Sequence, residues 1–130
     1  MDQIISARQI AASGMRAQAD RLRHVSENIA NLDTPGYRRK LVSFEAIMSG
    51  GRQTGQVAAS RPFLDRSALS RIYDPAHPMA DAQGFYSGSN VDLVTEIADA
   101  REASRSYEAN LKMFEQSRRM SASLLELLRR

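Results

Sequence analysis

The residues best suited to chemistry stand at Asp74-Pro75-Ala76-His77, a carboxylate and an imidazole three positions apart. Such a pair can relay a proton or begin a metal site. A metal would want at least one more ligand. Asp81 is near, but the only other histidine, His24, lies far away on a predicted helix. Pro75 and Pro78 forbid continuous helix here, so the segment reads as a rigid turn carrying a surface histidine. Gly50-Gly51 and Gly55 lack the strand–turn–helix context and the lysine of a phosphate-cradling loop. No serine or threonine sits in a nucleophile elbow. Met15, Met48, Met79, Met113 and Met120 are separated and read as gap-filling contacts. The chain has no Cys, which removes disulfides, thiolate metal sites and cysteine nucleophiles and leaves it indifferent to redox compartment. No catalytic, cofactor or metal site is expected.

The elements that would position any site are two long helices. Ile4, Ala7, Ala11, Gly14 (or Met15), Leu22, Val25, Ile29 and Leu32 recur at steps of three and four, with polar Gln18 in the same series. That is the stripe of a helix packed along one narrow face, with small residues in its first half permitting close approach. Asp33-Thr34-Pro35-Gly36 ends it, because Pro35 biases Thr34 out of the helical region. A second stripe runs Leu93, Ile97, Ala100, Ser104, Tyr107, Leu111, Phe114, Arg118, Ser121, Leu125 and Leu128. Ser89 and Asn90 are its N-cap candidates, and Ser89 with Asp92 fits a capping pattern.

The middle is of another kind. Gly50 to Gly55 predicts a turn, Leu41 to Glu45 a strand or short helix, and Phe63-Leu64 with Leu69 to Tyr73 a small hairpin. No internal repeat is visible. The expected fold is mainly α, with the terminal helices packed as an antiparallel coiled-coil-like pair around a small irregular or β-containing middle segment. Its divisions are residues 1–32, 33–89 and 90–130.

At 130 residues the chain fits one domain, yet only 42% is hydrophobic, 6% is aromatic and Trp is absent. Such an inventory makes a self-contained core hard to build and points to packing completed by partners. The net charge of +3 and the triple Arg38-Arg39-Lys40 would suit nucleic acid. Against this, Asp20, Glu27, Glu96, Asp99, Glu102, Glu108 and Glu115 share the same helices, as mixed-charge faces do and phosphate-binding faces do not. No apolar run is long enough to span a bilayer, and Met1-Asp2-Gln3-Ile4-Ile5 does not open a cleavable signal peptide. Neither nucleic acid nor direct membrane insertion is expected.

Ser26-Glu-Asn28-Ile-Ala-Asn31-Leu-Asp-Thr34-Pro35-Gly36-Tyr37 resembles the N-terminal signature of the flagellar axial proteins, the rod and hook family. Tyr73-Asp-Pro-Ala-His-Pro-Met-Ala-Asp-Ala-Gln-Gly84-Phe is similar to the centre of a proximal rod member. Ser89-Asn-Val91, Glu96 and Ser104-Arg-Ser-Tyr107-Glu-Ala-Asn110-Leu111 resemble the C-terminal helix of the same member. The direct Thr34–Tyr37 turn is also typical of a neighbouring rod protein, which stays as the alternative. A basic helical nucleic-acid-binding protein is the alternative of another class. The resemblance implies a structural rod subunit in the periplasmic part of the basal body, exported by the flagellar type III apparatus without a cleaved signal. Its partners would be other copies of itself and other rod proteins. The implied assembly residues are Asn28, Asn31, Thr34, Pro35, Gly36, Tyr37, Tyr107, Asn110, Leu111, Phe114 and Leu125.

Overall fold

A computed structural model describes residues 2–130. Helix α1 spans Asp2–Ala30 and helix α2 spans Leu93–Leu128. Between them lie β1 (Lys40–Leu41), β2 (Phe44–Ser49), β3 (Arg52–Ala59), β4 (Phe63–Leu64), β5 (Arg71–Tyr73) and β6 (Phe85–Ser87). The helices run antiparallel. Gly14 abuts Asn110, Arg21 reaches Asp99 and Glu102, and Asn28 reaches Glu96, so partner numbers fall as α1 advances.

The face that α2 turns to α1 is not the apolar stripe of the sequence. Glu96, Ala103 and Ser117 are buried, and Asn110, in the same seven-residue column, lies against Gly14. Leu93, Ile97, Ser104, Arg118, Leu125 and Leu128 are exposed, while Ala100, Tyr107, Leu111, Phe114 and Ser121 are half-buried. The reason is steric. Gly14 and Ala17 on α1 let the two backbones come so close that only small or compact polar side chains fit between them, and larger apolar ones are displaced to the flanks. On α1 the stripe residues Ala11, Gly14 and Val25 are buried, but Ala7 and Ile29 are exposed.

Ser13, Ala17, His24 and Asn28 are buried as well, because α1 is covered on a second side. There β2 and β3 form an antiparallel hairpin, with Phe44 opposite Ala59 and Ser49 opposite Arg52, and β3 lies on α1. Its turn, Gly50-Gly51, has φ of 56° and 77°, the pair of positive values that a two-residue hairpin turn matching strand twist requires. The Val57 N–H donates to Ser13 Oγ, and that hydroxyl donates to the Ile10 carbonyl.

The short apolar pieces expected to form one hairpin do not pair with each other. β4 pairs with β1 and β5 pairs with β6, each antiparallel. Both choices bring the middle segment back to the helix ends, where its backbone groups find partners. The helix boundaries differ by a few residues from the sequence reading. Asp92, not Ser89 or Asn90, caps α2 by accepting from the Val94 N–H. The other two side chains are committed elsewhere: Ser89 Oγ donates to the Leu32 carbonyl, and Asn90 accepts from the Arg39 N–H while donating to the Asp65 carbonyl.

Candidate assembly surface

One end of the helix pair is tied by a polar hub. Asn28, in the last turn of α1, acts like a strand backbone: its Oδ1 accepts from the Lys40 N–H at 2.8 Å and its Nδ2 donates to the Lys40 carbonyl at 3.0 Å. The same Oδ1 accepts from Tyr37 Oη at 2.8 Å, and Nδ2 also reaches Glu96 Oε2 at 3.3 Å. Glu96 is 0% exposed. Arg39 neutralises it through Nε at 2.7 Å and extends its two terminal nitrogens to Asp65 and Asp99, each at 3.3 Å. A buried carboxylate is tolerable only with such compensation. Burial alone would lower the Arg39 guanidinium, but Glu96 and then Asp65 outweigh it and hold the group above its ordinary value. Burial also raises the Tyr37 phenol, helped by the nearby Glu27 and Glu96 charges.

The turn after α1 completes this end. Asn31 Nδ2 donates to the Glu27 carbonyl, and Thr34 Oγ1 donates to Asn31 Oδ1. The Tyr37 N–H closes on the Thr34 carbonyl across Pro35 and Gly36, whose φ of 74° fits the third position of a type II turn. Of the residues implied by resemblance, Asn28, Asn31, Thr34, Pro35, Gly36 and Tyr37 thus come together here, with Asn28 and Tyr37 engaged inside the chain. Tyr107, Asn110, Leu111, Phe114 and Leu125 lie apart, along α2. Arg39, Asp65, Asn90 and Glu96 are the hub members that the sequence did not single out as a site. The available signal was a basic triple after one helix and acids on the first turns of the other.

Two other expectations meet their geometry here. The basic triple is spent internally: Arg38 donates to the Asp65 and Ser67 carbonyls, Arg39 holds the hub, and Lys40 pairs with Glu27. At Asp74 and His77, Oδ1 accepts from the Ala76 N–H, Nδ1 accepts from the Met79 N–H, and the imidazole stacks on Tyr86 at 3.8 Å. These are bonds that build a turn.

Three carboxylates, Glu27, Asp65 and Asp81, are held below the usual range and give the fold a pH dependence; the first two lie at the hub. The hydrogen bond from Lys40 holds Glu27 below the usual carboxylate range, and the Ser67 backbone N–H, helped by the Ser67 side chain and Arg39, does the same for Asp65. Their folded values lie below their unfolded ones, so the stabilisation is complete above about pH 4 to 4.5 and disappears as pH falls through the depressed values. Thermal melts followed by circular dichroism from pH 7 to 3 are expected to hold a steady midpoint and then drop at the acid end. A midpoint that stays level to pH 3 would show that none of the three matters.

Away from the hub many apolar side chains lie on the surface among charged ones. Among the described residues only four hydrophobic ones, Ala11, Ala17, Val25 and Ala103, are buried, whereas Leu93, Val94, Ile97, Met113, Met120, Leu124, Leu125, Leu127 and Leu128 of α2 are all exposed. Among the described residues no helix is long and apolar enough to cross a membrane. The accessible surface is 9041 Å², against about 6,900 Å² for a compact monomer of this mass. Buried polar hub, small-residue seam and bare apolar flanks define a subunit made to be packed among others.

Comparison with known proteins gives that class its name. Residues 9–38, which hold most of α1 and its turn, match the family described as "Flagella basal body rod protein". Residues 82–127, including nearly all of α2, match "Flagellar basal body rod FlgEFG protein C-terminal". Among individual relatives, the flagellar basal-body rod protein FlgC of Agrobacterium fabrum is 43% identical over 136 residues, covering 99% of this chain and 98% of its own. FlgC of Salmonella typhimurium is 34% identical, covering 91% and 92%, and FlgC of Bacillus subtilis is 35% identical, covering 91% and 93%. The chain belongs to the FlgC family of flagellar basal-body rod proteins, a structural family.

Proposed function

We propose that the chain is a building block of the proximal rod, exported through the flagellar type III apparatus and assembled in the periplasm with copies of itself and other rod proteins. Its two helices then form part of a shaft that transmits torque. The observation that carries this reading is the surplus surface. Roughly 2,100 Å² beyond that of a compact monomer is the scale of an obligate interface, and the exposed side chains of α2 include leucine, isoleucine, valine and methionine. Burial of that surface among neighbours supplies the apolar contact that the small intramolecular core lacks.

Leu125 tests it. At 55% exposed it contributes little to the isolated fold, so Leu125→Asp is expected to leave the circular dichroism of the purified chain unchanged. Incorporation into basal bodies and swimming should both be lost. Swimming at the wild-type rate with Leu125→Asp in place would mean that this flank of α2 faces nothing in the rod.

A further inference from the structure

The second half of α2 sets an apolar strip beside a basic edge. Met113, Met120, Leu124 and Leu127 are all exposed, and at 3.6 residues per turn they fall within an arc of about 60°. Arg119 borders a shallow groove with Met120 and Leu124, and Arg130 borders another with Leu127 and Glu126. From Lys112 onward five exposed cations, Lys112, Arg118, Arg119, Arg129 and Arg130, stand against two exposed carboxylates, Glu115 and Glu126. This stretch alone therefore carries a charge equal to the +3 of the whole chain. Among the described residues none of these cations is in an ion pair. Every residue from Ala122 to Arg130 is exposed, so the chain itself does not cover this end of the helix.

We propose that Lys112 to Arg130 of the unassembled chain binds an anionic lipid surface. The helix lies in the headgroup layer, with Met113, Met120, Leu124 and Leu127 toward the acyl boundary and the basic side chains on lipid phosphates. A helix with an apolar strip and a basic polar face takes this position, because long Lys and Arg stems cover apolar surface while their heads stay in water. It goes no deeper, since no described helix is long and apolar enough to cross a membrane. Charge selects the lipid over a second copy seated strip to strip, which would bring two positively charged stretches together. A nucleic-acid phosphate backbone would attract the cations but would gain nothing from four apolar side chains. An anionic lipid surface uses both, each basic residue near it and each apolar side chain below it adding to the affinity. The proposal goes beyond the rod-subunit reading and is independent of it, because it concerns the chain before neighbours cover this flank.

Vesicle flotation of the purified chain tests it. The chain is expected to rise with vesicles of equal parts phosphatidylcholine and phosphatidylglycerol and to stay behind with phosphatidylcholine alone. Leu127 is 64% exposed, so Leu127→Asp leaves the circular dichroism unchanged. That variant should bind the anionic vesicles about tenfold more weakly or worse, the worth of one buried leucine. Lys112→Gln/Arg119→Gln should weaken binding about thirtyfold, at ~1 kcal/mol for each basic residue near the surface. Equal flotation with neutral vesicles would remove charge from the contact, and anionic binding untouched by Leu127→Asp would remove the strip; either overturns the proposal. A chain that stays behind with both kinds of vesicle, as a monomer or associated with itself, overturns it too. So does a DNA duplex bound as tightly as the anionic vesicles and equally well by Leu127→Asp, since bare positive charge then accounts for everything. None of these results depends on incorporation into basal bodies, so the rod reading stands or falls separately.

Discussion

Arg39→Ala is expected to destabilise the isolated chain by about 3–5 kcal/mol, the range for removing one partner of a buried ion pair. The loss comes less from the missing attraction than from what is left behind. Glu96 is fully buried, and without the Nε contact at 2.7 Å its remaining partner is the Asn28 amide at 3.3 Å. Asp65 and Asp99 lose a common counter-ion at the same time. For a protein whose total stability falls within about 5–15 kcal/mol, this is a large fraction. Denaturant or thermal unfolding by circular dichroism measures it. The double variant Arg39→Ala/Glu96→Gln should recover part of the loss, because the orphaned charge is gone. A wild-type unfolding midpoint in Arg39→Ala would show that the hub is ornamental.

The second large effect is expected at Gly14. A Cβ there would lie 2.7 Å from both the nitrogen and the oxygen of the Asn110 amide, well inside contact distance. Asn110 is held by its own bond to the Ser106 carbonyl and cannot turn aside without breaking it. Gly14→Val must therefore spread the helices or displace Asn110, at a cost of about 1–3 kcal/mol. The helix propensity gained on going from glycine to valine, only about 0.3–0.5 kcal/mol, offsets little of this. The functional loss should exceed the stability loss, since a wider helix pair presents its flanks to neighbours at the wrong spacing. Adding Asn110→Ala opens room and should restore both stability and basal-body incorporation. Full stability and normal swimming in Gly14→Val would refute the close-approach account of the seam.

That seam also marks where the sequence stopped being informative. The two helices were legible because steps of three and four persist over many turns and Pro35 forces an end. Which face packs was not, because periodicity weights large apolar residues, whereas Gly14 and Ala17 admit only Ala103, Asn110 and their like. Leu93, Ile97 and Leu125 are stripe residues that the chain leaves exposed. The β2–β3 hairpin was half visible. Gly50-Gly51 announced the turn, but every residue of β2 is exposed, so no alternation of burial marked the strand. Pairing of Phe63-Leu64 and Arg71–Tyr73 with distant segments could not be read from local pattern. The hub was hidden for the same reason, since Asn28, Arg39 and Glu96 meet only after the fold brings them together. Read singly, Arg39 belonged to a possible nucleic-acid patch and Asn90 to a helix cap.

The hub's wiring has a kinetic consequence. The bonds that tie its two helices join positions far apart in the chain, 57 residues between Arg39 and Glu96 and 68 between Asn28 and Glu96. Each helix can grow and melt locally on the sub-microsecond to microsecond scale. The ties that fix one helix against the other must wait for closure of a loop of that length, whose entropy is spent before any contact repays it. The order of events is then set by topology: helices first, as transient and separate segments, and the clamp last. A newly made chain is therefore expected to begin as two loosely coupled helices that form and melt separately.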